Sequence, residues 1–391
     1  MLQITFWFLI GLTTFIYFGY PAVIFLLARV FGKEPMKGDI TPFVSVIIPA
    51  HNEEKVIRER VANVLSVDYP KDKLEIIFAL DGCTDNTASI ISEFSDPRIR
   101  VIDKKTREGK VKTLNRVVPE AKGEILVFSD ANSMHKNDII RKLIRYFVDE
   151  KVGCVCGCLK YKNTESTSVG KGESLYWEYE HFIKKQESRL GKLLVTNGSA
   201  QAIRKDLYPF PDPEVADDFS IPLLIQVKGY KLLFEPEAIV RETATQSLLD
   251  EMNQKIRIIA QGFKGTFMLW KDLVRLSPLG MFEFLFHKSL RWLIPFYLIL
   301  AFIINLFLAG EPLYFGILLA QIAFFIFAFI GFLKRHGSRV KIFYVPFYFC
   351  LVNSASLIAL YRFLKGEQTR MWGKAHSTRK LSAASGAQNN V

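Results

Sequence analysis

The sequence contains no G-x-G-x-x-G fingerprint, which argues against a dinucleotide site. Its five cysteines are an odd number in 391 residues and none has the paired spacing of a disulfide or zinc framework. Cys154, Cys156 and Cys158 alternate and would share one face of a strand, as free thiols packed in a reducing compartment. No basic stripe interleaved with aromatics is present, so the net charge of +12 does not read as a nucleic-acid footprint. There is no internal repeat. The first apolar stretch lacks a basic leader and a small-residue cleavage site, so it reads as a retained anchor and not as a signal peptide.

What the chain does have is an unusual mixture, 50% hydrophobic residues beside 23% charged ones. That combination points to a water-soluble part joined to membrane segments. Residues 4–28 form an uncharged apolar run, longer than the roughly 20 residues a bilayer core requires. Three more runs follow at 293–308, 313–333 and 342–361. Arg29, Lys33 and Lys37 flank only the C-terminal end of the first run. The positive-inside rule then places the N-terminus outside and the next domain in the cytoplasm. Three C-terminal spans would leave the basic loop 334–341 inside. They would also put Arg362, Lys365, Arg370, Lys374, Arg379 and Lys380 outside, against the rule. The last run, with Pro346, Asn353 and Ser354, is the candidate for a re-entrant segment. The expected organisation is an anchor at 1–32, a cytoplasmic domain at 42–278 and an interfacial amphipathic helix at 279–292. A membrane region at 293–362 and a basic, then disordered tail at 363–391 complete it. The expected location is the inner cell membrane, crossed several times.

Within the soluble part, strand-like runs at 44–48, 74–80, 99–102 and 125–129 alternate with helical patterns at 110–118 and elsewhere. Several strands end in polar or acidic residues: Pro49-Ala50-His51-Asn52-Glu53-Glu54, then Asp81-Gly82-Cys83-Thr84-Asp85, then Ser129-Asp130-Ala131-Asn132. Strand–helix alternation of this kind predicts an α/β domain with a mostly parallel sheet covered on both faces. In such sheets ligands bind outside the carboxyl ends of the strands. An Asp with a second oxygen ligand two residues on suits a hard divalent cation. Taken alone, Asp130 could equally be a strand-end Asp making a turn. The helical patterns at 221–229 and 248–270 follow Asp217-Asp218 and contain Gln254 and Arg257, which share a face one turn apart.

Together these residues resemble the family 2 inverting glycosyltransferases, in particular the membrane-embedded branch with the poly-N-acetylglucosamine, hyaluronan and cellulose synthases. The resemblance rests on Val-Ile-Ile-Pro-Ala-His-Asn-Glu-Glu at 46–54, Asp81-Gly-Cys-Thr-Asp-Asn-Thr, and Gly109-Lys110 with Leu114-Asn115. It continues through Phe-Ser-Asp-Ala-Asn at 128–132, Asn197-Gly198, Asp217-Asp218 with Gly229-Tyr230, and Gln254-x-x-Arg257. His287-Lys288 and Arg291-Trp292 look like the family's interfacial segment. It covers roughly residues 44–295 and is specific in the order and spacing of its pieces.

The resemblance implies a nucleotide-diphospho-sugar transferase fold of the glycosyltransferase A type, Rossmann-like, and transfer from a UDP-sugar with inversion. It implies that Asp130, with Asn132, holds a divalent cation (Mg or Mn) at the diphosphate, with Lys110 as a compensating charge. Asp81, Glu53 and the Pro49 turn would shape the nucleotide pocket. Asp218 would be the catalytic base that takes the acceptor's proton, and Asp217 would orient the acceptor or the base. Gln254 and Arg257 would cover the donor and touch diphosphate and acceptor. Simple helix capping for Asp217-Asp218 and a solvated helix face for Gln254/Arg257 are the plainer alternatives. Two departures stand out. Asn132 replaces a commoner acidic residue, and an amide is the weaker cation ligand. Ile258 stands where a Trp would contact the acceptor sugar, which weakens the case for processive elongation. His51, His135 and His181 read as surface or packing residues.

The expected partners are a UDP-sugar donor, a glycan or lipid-linked acceptor and the lipid bilayer, with room for accessory export subunits and no nucleic acid. Two other readings compete: a transferase that adds one sugar to a lipid-linked acceptor and stops, and an inactive export or scaffold subunit.

Overall fold

The computed structural model describes residues 1–162, 168–244, 247–334 and 340–367. Most of the basic loop 334–341 and the tail beyond 367 lie outside the described residues. The soluble part is built on one eight-stranded sheet in the order β3-β2-β1-β4-β7-β6-β8-β5. Its strands are β1 (Val44–Ala50), β2 (Leu74–Asp81), β3 (Ile99–Lys104), β4 (Ile125–Phe128), β5 (Met134–His135), β6 (Val152–Lys162), β7 (Gln201–Arg204) and β8 (Lys231–Thr243). The half formed by β3, β2, β1 and β4 is parallel throughout. Beyond it, β7 runs antiparallel to both β4 and β6, and β5 runs antiparallel to β8. Strands β6 and β8 pair in parallel along most of their length, so the sheet is mixed but mostly parallel, as the sequence pattern predicts. The antiparallel exceptions are β5 and β7, short strands that carry too few residues for a period to be read.

Strand β1 is buried at every position, as a central strand covered on both faces must be. Val46 and Ile48 pack with Ile57, Val61 and Val64 on one side of the sheet. Ile47 packs with Leu114 and Val117 on the other. Cys154, Cys156 and Cys158 do share a face, and they fill the second cluster beside Phe128 and Ile203. Each fully buried aliphatic side chain of this kind contributes roughly 1.5–3 kcal/mol relative to exposure. The two cores fix the carboxyl ends of β1, β2 and β4 along one edge of the parallel half.

Among the described residues, three helices are long and apolar enough to cross a membrane: Leu2–Val30, Pro312–Leu333 and Lys341–Leu364. Phe8 and Phe18 of the first and Phe329 of the second are exposed, while Phe6 of the first and Phe347 of the third are buried against the rest of the protein. The last is one unbroken helix despite Pro346. The break falls earlier, between Pro278–Trp292 and Ile294–Leu308, which meet at 59°. Pro295 removes a helical N–H there and disfavours helical backbone at Ile294.

The polar residues of the Pro278–Trp292 helix turn inward onto the long helix Ser168–Arg189. Glu180 accepts from Lys288 Nζ at 3.1 Å and Arg291 at 2.5 Å, and bonds His287 Nε2 at 3.2 Å. His287 Nδ1 bonds Glu187 at 2.6 Å, and Tyr20 of the first apolar helix donates to the same Glu187 oxygen at 2.7 Å. Burial opposes the charge on Glu180, but Lys288, His287 and Arg291 hold its carboxyl well below the usual range. This buried knot ties the soluble domain to two apolar segments.

Candidate functional site

Asp130 sits two residues past β4, and the turn before Lys110 is set by Asp81. The Asp81 carboxylate, at the end of β2, accepts from the backbone N–H of Glu108 at 2.6 Å and of Gly109 at 2.9 Å. Gly109 has φ +93°, a backbone angle that a side chain disfavours. The helix Lys110–Val117 starts immediately after it, which aims the Lys110 side chain across the strand ends. Its ammonium lies 2.8 Å from Asp130 Oδ1 and 3.1 Å from Asp217 Oδ2. Burial works against that charge, but Asp130 and Asp217 outweigh it and raise its pKa.

Asp217 and Asp218 open the helix Asp217–Val227, where the helix dipole favours negative charge. The start of that helix is held by Thr196, whose N–H and Oγ1 both donate to the Asp218 carbonyl at 3.2 Å. Asn197 fixes the adjoining turn by donating to the Gly157 carbonyl at 2.7 Å and accepting from Ala200 N–H at 3.0 Å. Enclosure in the cleft, and then the charge of Asp217, push Asp218 up to about 6, with Lys110 pulling the other way.

These groups line one cleft of about 690 Å³. Gln254 and Arg257 line it from the helix Leu248–Met268, which Ser247 caps by accepting from Asp250 N–H at 3.4 Å. Burial lowers the pKa of Arg257, offset in part by the charges of Asp218, Asp130 and Asp217. Asn132 and Ile258 also line the cleft, with Ile258 47% exposed. The structure thus brings Lys110, Asp130, Asn132, Asp217, Asp218, Gln254 and Arg257 together. Pro49 and Glu53 lie at the end of β1 and beyond it, and with Asp81 they are outside the lining of this cleft. His51 bonds the Asp81 carbonyl at 2.6 Å, and His135 is buried against Ser129 at 2.8 Å. His181 packs beside Cys158.

Sequence reading passes over Glu180, Lys184 and Glu242, which line the same cleft. The available signal for the first two was their placement on a long helix rich in charges and aromatics. Gly198 is the other residue whose role emerges only in space. A Cβ there would stand 2.7 Å from Lys110 Nζ and 3.5 Å from Asp217 Oδ2. Gly198→Ala is therefore expected to displace the ammonium from the carboxylates and reduce turnover by roughly tenfold or more, about the value of one charge-assisted hydrogen bond. Steady-state kinetics alongside an unfolding curve would check this, since the displaced group is the flexible end of a side chain and the fold should survive.

A divalent cation is tested by the donor set. Among the described residues no three His, Cys, Asp or Glu side chains are grouped as metal ligands. Asp130 and Asn132 nevertheless offer hard oxygens in the cleft. A small cation of the Mg type is commonly held by one or two carboxylates together with substrate phosphates and water. The residues fit such a shared site, with Asp130 as its charged ligand.

The α/β sheet with a carboxylate-edged cleft at its strand ends has the glycosyltransferase A-type fold. The family model described as "Glycosyl transferase family 2" matches residues 45–209. It is 26% identical over 283 residues to the "Beta-monoglucosyldiacylglycerol synthase" of Trichormus variabilis, covering 70% of this chain and 59% of that one. It is 23% identical over 294 residues to the "Poly-beta-1,6-N-acetyl-D-glucosamine synthase" of Staphylococcus epidermidis, covering 73% and 70%. The chain thus spans about six-tenths of the first relative's length. In fold it is similar to the mannosyltransferase PcManGT from Pyrobaculum calidifontis, solved with GDP-Man and Mn2+. That likeness has a TM-score of 0.70 at 20% identity and covers 94% of this chain and all of that one.

Proposed function

We propose that the protein is a membrane-bound inverting glycosyltransferase. It moves a hexose or N-acetylhexosamine from a UDP-sugar to a polysaccharide or membrane-linked glycan acceptor on the cytoplasmic side of the inner membrane. The observation that carries this reading is the convergence of Asp130, Lys110, Asp217 and Asp218 on one cleft under Gln254 and Arg257.

Asp218 receives the proton of the acceptor hydroxyl as its oxygen bonds to the anomeric carbon, and a pKa near neutrality suits that task. The bond from the anomeric carbon to the diphosphate breaks, and the electron pair leaves with the nucleotide. Lys110 and Arg257 stabilise the charge that develops there. A bound Mg or Mn ion would add Lewis-acid stabilisation of the same diphosphate, held through Asp130 and Asn132. Asp217 positions Lys110, and Asp81 sets the turn from which Lys110 projects; the nucleotide would extend beyond the cleft toward Asp81, Pro49 and Glu53.

The test is nucleotide release by the detergent-purified chain with each candidate nucleotide sugar in turn. UDP-hexoses or UDP-N-acetylhexosamines are expected to react, and a response to no donor would overturn the reading. Chelation with EDTA is expected to stop turnover and added Mg or Mn to restore it. Full activity in EDTA would remove the cation from the scheme.

Addition of a single sugar is supported by Ile258, a half-exposed aliphatic residue at the cleft where an aromatic platform would help to hold a growing sugar chain. A single labelled product, and no ladder, is the expected outcome of a long incubation.

A further inference from the structure

The cleft does not end at the carboxylates. It continues past Glu180 and Lys184 to Lys288 and Arg291, and is lined beyond them by Tyr17 of the first apolar helix and by Asn353 and Ser356 of the last. One cavity therefore joins the base, Asp218, to the segments that would stand in the bilayer.

The charges along that inner stretch do not balance. Lys288 and Arg291 share the carboxylate of Glu180, and Glu187 is taken by Tyr20 and His287. Lys184 is 3% exposed and lines the cavity. Among the described residues it forms no ion pair; its ammonium lies 5.7 Å from the centre of the Trp177 ring. Its charge also acts on Asp218, so it stands between the base and the Glu180 knot. A buried cation lacking a carboxylate is costly unless an anion arrives to compensate it.

We infer that Lys184, backed by Lys288 and Arg291, binds an anionic phosphate on a lipid acceptor that enters the cleft from the membrane side and presents a head-group hydroxyl to Asp218. This deepens the proposed function and rests on Asp218 being the base. A lipid monophosphate attacking through its own oxygen has little need of a base at neutral pH. A hydroxyl nucleophile does need one. The acceptor class is therefore a lipid that carries both a phosphate and a hydroxyl: a phosphoglycerol head group, or a sugar joined to a polyprenyl chain through a diphosphate. In the transfer the hydroxyl oxygen bonds to the anomeric carbon and its proton passes to Asp218. The sugar–diphosphate bond breaks with its electron pair going to the departing nucleotide, and the lipid phosphate is unchanged.

The experiment uses the full chain in detergent with three acceptors: phosphatidylglycerol, polyprenyl-diphosphate-N-acetylglucosamine and neutral monoglucosyldiacylglycerol. The wild type is expected to glycosylate one of the two phosphate-bearing lipids in preference to the neutral one, and the preferred lipid identifies the source of the phosphate. Lys184→Gln should raise the KM for that lipid by roughly tenfold or more, the value of one charge-assisted contact, with a much smaller change in donor KM. Lys184→Arg should recover most of the loss. Equal or better use of the neutral lipid by the wild type overturns the inference, whether or not the Gln variant folds. So does a Lys184→Gln variant whose donor KM rises as much as its acceptor KM. Failure of the wild type to release nucleotide from any donor would sink the proposed function instead.

Discussion

Asp218→Asn is expected to reduce sugar transfer by roughly 10²–10⁴-fold, the usual contribution of a positioned general base, while donor binding is retained. The amide keeps the shape of the side chain but cannot take the acceptor's proton. In the unaltered protein kcat/KM should fall about tenfold per pH unit on the acid side, once the pH drops below the Asp218 value of about 6. Stability should move the other way. The folded state raises the Asp218 pKa above its unfolded value, so the ionised carboxylate costs stability above about pH 6, and the cost fades as the pH falls toward the unfolded value. Asp218→Asn removes that charge and is expected to unfold at an equal or higher temperature at neutral pH. Turnover in the Asn variant equal to wild type would refute the assignment. An unfolding temperature well below wild type would place the residue in the structure instead of the chemistry.

Lys110→Met is expected to have the second large effect, and to be damaging on both counts. It removes the ammonium that pairs with both Asp130 and Asp217 and leaves them, among the described residues, without an ion-pair partner. Removing one partner of a buried ion pair costs roughly 3 kcal/mol or more, which denaturant unfolding would register. Turnover should fall by roughly 10²–10³-fold, as when a donor to a developing anion is removed. A further signature separates this variant from a merely unstable one. Lys110 holds the Asp218 pKa down, so the acid limb of the pH profile should move to higher pH in whatever activity remains. An unchanged limb would show that the two groups are uncoupled.

The sequence was most legible where chemistry coincides with the end of a regular element. Asp130 follows a short buried strand, and Asp217-Asp218 opens a helix, so type, place and direction can all be read locally. Asp81 was legible as a strand-end carboxylate. Its bonds to Glu108 and Gly109, which set the course of Lys110, were not, because they cross 27 and 28 residues of chain. The mixed half of the sheet was hidden for a related reason. Strand β7 has only four residues, and its place between β4 and β6 follows from long-range pairing that no local period encodes. Gly198 was legible only as part of the Asn197-Gly198 motif, and the space it leaves for Lys110 shows only in three dimensions. The polar face of the Pro278–Trp292 helix could be read as amphipathic from the sequence, but its partners could not, since Glu180 lies 107 to 111 residues away.

Those pairings bear on how the protein can be handled. Glu180 and Glu187 belong to the catalytic half, while His287, Lys288 and Arg291 lie past residue 278. A trimmed, water-soluble fragment ending there would keep two acids stripped of the partners that neutralise them. Substituting both with Met or Leu of similar volume, as buried ion pairs often tolerate, is the rational way to make an excised domain that stands alone.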